Sequence, residues 1–211
     1  MIFNEKIAKQ TANFLLQIKA IKLNPKNPFK WSSGWNSPIY CDNRICLSYP
    51  EIRDFLANSI AEEIKKKTDS NFIIAGVATG AIGIGMLVAD KLNSPFIYVR
   101  PEPKKHGRQN QIEGVLKKNE KVVVIEDLIS TGKSSIDAVN TIKNTGAKVI
   151  FMMALFTYGF EISKQNFKNL NLELKTLCDY NNLLKVAIDN NLISKSDMES
   201  LIKWRKNPDQ W

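Results

Sequence analysis

Val122-Val-Val-Ile-Glu-Asp-Leu-Ile-Ser-Thr-Gly-Lys-Ser-Ser135 decides how the rest of this chain is read. Four aliphatic residues in a row, all β-branched, predict a strand buried on both faces, Val122–Ile125. Two acids follow, then a loop of hydroxyls around Gly132, then a helix from about Lys133 to Asn144. Gly132 lets backbone approach a ligand closely. The free N–H groups at the helix start, with the Ser130, Thr131 and Ser134 hydroxyls, make a cradle for phosphate. Glu126 and Asp127 repel phosphate and must face something else, for which sugar hydroxyls or a magnesium ion are suited.

Gly132-Lys133-Ser134 is also the tail of a nucleotide-binding P-loop, whose first glycine would stand at position 127. Asp127 stands there instead. A carboxylate where a diphosphate should be wrapped argues against an ATPase. It favours a ligand with a monophosphate on one side and a diol on the other, as in phosphoribosyl pyrophosphate.

Working outward, the same pattern recurs. Phe72–Val77, Phe96–Arg100, Lys148–Phe156 and Leu172–Leu177 read as strands, and helices separate most of them. This predicts an α/β fold: a central parallel sheet flanked by helices, with ligands beyond the carboxyl ends of the strands. Residues 4–22 read as an amphipathic helix. Residues 25–49, rich in Pro, Gly and aromatics, read as a hairpin excursion. Pro50 opens a helix with an apolar stripe of Ile52, Phe55, Leu56, Ile60 and Ile64. A last helix is expected to open with a capping box at Ser196 and Glu199. We expect one domain over 1–211, with a helix and hood segment at 1–49 and the core sheet at 70–160.

Composition narrows the class. Of the 211 residues 44% are hydrophobic, enough for a substantial core, and the net charge is +9. The lysines are scattered, with Lys65-Lys66-Lys67 the only run of three, so no nucleic-acid partner is expected. Cys41, Cys46 and Cys178 have neither disulfide nor zinc-site spacing, and no protein-built metal site is expected. No apolar stretch reaches the roughly 20 residues needed to cross a bilayer. We expect a cytoplasmic protein.

The Val122–Ser135 segment resembles the phosphoribosyl pyrophosphate motif of type I phosphoribosyltransferases. The resemblance implies that Glu126 and Asp127 contact ribose hydroxyls. It implies that Ser130 to Ser134 hold the 5′-phosphate, within a run, Leu128, Ile129, Ser130, Thr131, Gly132, Lys133 and Ser134, that binds phosphoribosyl pyrophosphate. Tyr98–Gly114 holds two prolines, Gly107 and the only histidine, and residues 100–108 carry four cations against one acid. It resembles the catalytic loop of orotate phosphoribosyltransferases, in which an Arg, a Lys and a His contact pyrophosphate. The matching positions are Arg100, Lys104 and His106. In that family the Lys and His enter the neighbouring subunit's site, which implies a homodimer with shared sites.

Phe29–Arg44 resembles the N-terminal signature of the orotate-specific branch, which places Tyr40 and Cys41, with Ser130, in the orotate pocket. Gly76-Val-Ala-Thr-Gly-Ala-Ile-Gly83 resembles the family's pyrophosphate loop. The family further implies magnesium as cofactor and a place in UMP synthesis. Lys104, His106, Glu126 and Asp127 are the expected catalytic residues. The pattern is broken at Ser32, Pro101, Thr79 and Gly80, and near Thr157-Tyr158-Gly159 an orotate-binding arginine is missing. The competing readings are a purine-base phosphoribosyltransferase and a non-enzymatic regulator that senses phosphoribosyl pyrophosphate.

Overall fold

A computed structural model describes residues 2–31, 34–68, 71–102 and 110–208. In chain order the elements are α1 (Glu5–Gln17), β1 (Ile21–Leu23), β2 (Phe29–Lys30), β3 (Asn36–Ser37) and β4 (Ile39–Cys41). A 3-10 helix at Asn43–Ser48 leads into α2 (Pro50–Lys67), β5 (Ile73–Val77), α3 (Ala81–Leu92) and β6 (Phe96–Val99). Then come β7 (Ile112–Glu113), β8 (Lys121–Ile129), α4 (Lys133–Asn144), β9 (Lys148–Thr157) and α5 (Glu161–Asn169). The chain continues through β10 (Leu174–Asp179), α6 (Tyr180–Asp189) and α7 (Lys195–Lys206).

The main sheet has six strands in the order β10-β9-β8-β5-β6-β7. All neighbours are parallel except β7, which runs antiparallel to β6 at the edge. Successive side chains on the central strands alternate between two buried layers. Val123 and Ile125 of β8 face the layer built with α1, α2, α3, α6 and α7. Val122, Val124 and Ile129 face the layer completed by α4 and α5. An unbroken aliphatic run is therefore required on β8, because neither face meets water. No described helix is long and apolar enough to cross a membrane.

Three readings of the sequence change. The helix expected over 4–22 ends at Gln17, and Ile21–Leu23 instead pairs with β4 as a small antiparallel sheet. Apolar residues at 18 and 21 continue the helical spacing, but Lys19 turns the chain with a φ of 57°. Second, β8 does not stop at Ile125; it carries both acids and runs on to Ile129, in register with β9 as far as Thr157. Third, α7 opens two residues earlier than expected. Ser194, with extended backbone, accepts from the Asp197 N–H, and the Asp197 carboxylate accepts from the Ser194 N–H. Ser196 and Glu199 have the same spacing, but Ser196 already lies within the first turn of the helix and is not its N-cap. The two-residue β7 was not expected at all.

The α7 correction can be measured. Ser194→Ala should lower stability to urea unfolding by about 1 kcal/mol, and Ser196→Ala should change it by a few tenths at most. Equal losses would restore the box at Ser196.

Candidate active site

Parallel pairing of β5 with β8 sets Gly76 beside Ile125 and brings the turn after β5 against the two acids. A Cβ on Gly80 would overlap the Asp127 carboxylate, so any larger residue there must push that acid aside. The acids, adjacent in sequence, are not equivalent in space. Asp127 lies half-buried on the cleft, whereas Glu126 is 4% exposed. Glu126 is tied down at both oxygens. Its Oε1 accepts from the Asp127 N–H at 3.0 Å and its Oε2 from the Ser135 hydroxyl at 2.8 Å. It thus anchors the first turn of α4 as well as lining the cleft. Burial, and then the charge of Asp127, pushes the Glu126 carboxyl well above its ordinary range.

The loop beyond β8 is braced from three directions. Asn43, buried in the 3-10 helix, donates its amide to the Asp127 carbonyl at 2.6 Å. The Tyr158 N–H and the Thr157 hydroxyl donate to the Ile129 carbonyl at 3.1 and 3.3 Å. Asn166 of α5 donates to the Thr131 carbonyl at 3.1 Å. Gly132 then takes a φ of 81°, a conformation that costs glycine little, and α4 begins with no side-chain cap among the described residues. Its leading N–H groups and the exposed Lys133 and Ser134 surround one end of the cleft.

Two cavities meet at this loop. One, of about 390 Å³, is lined by Asp42, Arg44, Val77–Gly80, Glu126, Asp127 and Ser134. The other, of about 580 Å³, is lined by Lys30, Trp31, Trp35, Tyr40, Ser130, Thr131 and Tyr158. Cys41 and Leu128 belong to both and form the shared wall. The first is polar and can hold sugar and phosphate groups. The second is a chamber of rings suited to a planar base. A hollow of about 610 Å³ at the opposite end of the sheet, beside Ile73 and Lys121, holds none of these groups.

The aromatic chamber is stiffened from behind. Trp31 donates its indole N–H to the Ile39 carbonyl at 3.1 Å and packs 5.3 Å from the Tyr158 ring. Fully buried Trp204 of α7 contacts both rings and donates to the Asn36 carbonyl at 3.3 Å. Cys41 donates its thiol to Asn43 Oδ1 at 3.3 Å, and burial with the nearby Asp127 charge pushes that thiol up. It is a wall rather than a nucleophile.

The structure brings together Tyr40, Cys41, Glu126, Asp127, Leu128, Ser130, Thr131 and Ser134 around the paired cavities. Ile129 has its side chain in the core against α4, which leaves only its backbone to the loop. Arg100 ends β6 and lines neither cavity among the described residues. Its N–H donates to the Gln111 carbonyl at 2.8 Å, and its guanidinium lies 3.7 Å from Glu113. Lys104 and His106 lie outside the described residues. Sequence reasoning did not single out Lys30, Asn43, Arg44, Ser135, Tyr158 or Trp204. Only Ser135 carried a signal, as a hydroxyl one turn into the helix that follows the acids.

The raised Glu126 carboxyl makes a signed prediction. Holding its proton more tightly when folded stabilises the protein below the unfolded carboxyl's pKa of 4.5. That stabilisation is lost as pH rises from there through the folded value. Glu126→Gln keeps hydrogen-bonding capacity at both positions and removes the charge. Its ligand-free melting temperature should exceed wild type by several degrees at pH 8 and by much less near pH 4.5. Equal shifts at both pH values would show that the buried charge is not the cause.

The comparisons with known proteins agree with this geometry. A family model described as phosphoribosyl transferase domain matches residues 47–170. The chain is 49% identical over 203 residues to the orotate phosphoribosyltransferase of Cytophaga hutchinsonii, covering 96% of this chain and 97% of that one. It is 52% identical over 200 residues to that of Bacteroides thetaiotaomicron, covering 95% and 94% respectively. A crystal structure of orotate phosphoribosyltransferase from Aeropyrum pernix superposes with a TM-score of 0.74 at 25% identity, covering 87% of this chain and 99% of that one. The chain belongs to the orotate phosphoribosyltransferase family.

Proposed function

We propose that this protein transfers ribose 5-phosphate from phosphoribosyl pyrophosphate to orotate, yielding orotidine 5′-phosphate and pyrophosphate in UMP synthesis. The observation that carries this reading is the shared Cys41–Leu128 wall, which sets a ring-lined chamber directly against a cleft with a carboxylate and a phosphate cradle. A base in the first and a ribose phosphate in the second would meet at C1 of the sugar. The orotate ring lies against Tyr40 and Cys41 within reach of the Ser130 hydroxyl. The ribose hydroxyls face Asp127 and Glu126, and residues 130–134 hold the 5′-phosphate.

The ring nitrogen displaces pyrophosphate at C1, and the base–sugar bond forms as the sugar–pyrophosphate bond breaks. The sugar gains positive charge on the way. The Asp127 carboxylate, fixed through Asn43 at its own carbonyl, is preorganised to stabilise it without moving. Positioning supplies the rest, with no protein nucleophile required. Arg100, Lys104 and His106 are assigned to the departing pyrophosphate, with Lys104 and His106 reaching across a homodimer. Magnesium fits the oxygen donors of this cleft. Asp127 would help hold the ion, with substrate oxygens and water as its other partners. It would neutralise diphosphate charge. The protein is assigned to the cytoplasm.

Absorbance of free orotate should fall when enzyme, phosphoribosyl pyrophosphate and magnesium are combined, while adenine, hypoxanthine and uracil are turned over far more slowly. Preference for a purine would retain the ribose site and overturn the base; inactivity with all four would favour a sensor. Asp127→Asn should lower kcat by about a hundredfold, and Lys104→Ala should lower kcat far more than it weakens substrate binding. Equimolar mixing of these two inactive variants should restore about a quarter of wild-type activity, through heterodimers with one intact site. No restoration in refolded mixtures would exclude the shared site.

A further inference from the structure

We propose that Lys30 is the residue that selects the carboxylate of the orotate base, and hence discriminates it from uncharged pyrimidines. The inference rests on orotate being the substrate. Orotate enters with a negative charge on its ring substituent, and an anion moved out of water into a ring-lined chamber needs a partner there. Among the described residues lining this chamber there is no acid, and Lys30 is its one cation. Ser130, Thr131, Tyr40 and Tyr158 offer neutral hydroxyls. The Trp31 N–H is already given to the Ile39 carbonyl.

The two arginines nearest the chamber are engaged, and Lys133 lines the cleft end rather than the chamber. Arg44 grips Asp42 with two bonds, Nε to Oδ1 at 2.7 Å and Nη2 to Oδ2 at 2.9 Å. Arg100 lies near Glu113 beyond the chamber. The segment Thr157–Gly159 at the end of β9 presents a phenol and no charge. Lys30, by contrast, forms no ion pair with any described residue.

Its backbone is nonetheless fixed. Lys30 pairs with Asn36 across the β2–β3 hairpin, whose far strand is held at the Asn36 carbonyl by Trp204. The next residue, Trp31, is clamped by Tyr158 and Trp204. A mobile ammonium on a braced hairpin can meet a carboxylate at the chamber's mouth with little strain.

The test compares wild type, Lys30→Met and Lys30→Arg. Each is assayed for kcat/KM with orotate, KM for phosphoribosyl pyrophosphate, and inhibition by the neutral carboxamide of orotate. Lys30→Met should lower kcat/KM for orotate by about tenfold or more. It should leave the carboxamide inhibition constant and the other KM unchanged, and Lys30→Arg should recover most of the loss. Unchanged orotate kinetics in Lys30→Met would overturn the proposal. So would equal weakening of orotate and carboxamide, which would mean a displaced hairpin. Wild type inactive with orotate would instead remove the functional reading on which the proposal stands.

Discussion

The site depends on one hydrogen bond across the fold, from the Asn43 amide to the Asp127 carbonyl. It joins the hood, which supplies the wall of the ring chamber, to the strand end that supplies the acid. A peptide group at the end of a buried strand needs partners once the sheet ladder stops. Here the partners come from the 3-10 helix, from the end of β9 and from α5. Satisfying the backbone and positioning the loop are therefore the same event. The cleft needs little reorganisation to hold a developing charge, which is where catalysis by fixed dipoles gains most.

A second constraint divides the work of two adjacent carboxylates. Strand alternation sends Glu126 and Asp127 to opposite faces of β8. One lands beneath α4, where Ser135 and a backbone N–H hold it; the other faces the cleft beside Gly80. The buried acid raises the cost of the ionised site, and the half-buried one is placed where a cationic sugar would repay it.

Much of this was legible in the sequence. Val122–Ile125 has no polar residue, so it could only be a strand covered on both faces, and Gly132 before Lys133 marked the start of α4. Pro50 marked the start of α2 in the same way. What failed were features whose competing registers look alike in one dimension. Ser194–Asp197 and Ser196–Glu199 are equally good capping boxes as text, and the folded chain forms the first. Ile21 continues the spacing of α1, but pairing with Cys41 in β4 draws it into a strand. Asn43, Tyr158 and Trp204 carry no local signal, because their roles exist only through contacts with residues far along the chain.

Base and ribose phosphate are proposed to occupy neighbouring chambers divided by Cys41 and Leu128. The most direct measurement is a crystal structure of the protein with orotidine 5′-phosphate. The phosphate should lie at Ser130–Ser134, the ribose hydroxyls at Asp127, and the pyrimidine against Tyr40 with its carboxylate toward Lys30. A nucleotide bound with its base over Asp127 and its phosphate among the rings, or seated at the far end of the sheet, would contradict it.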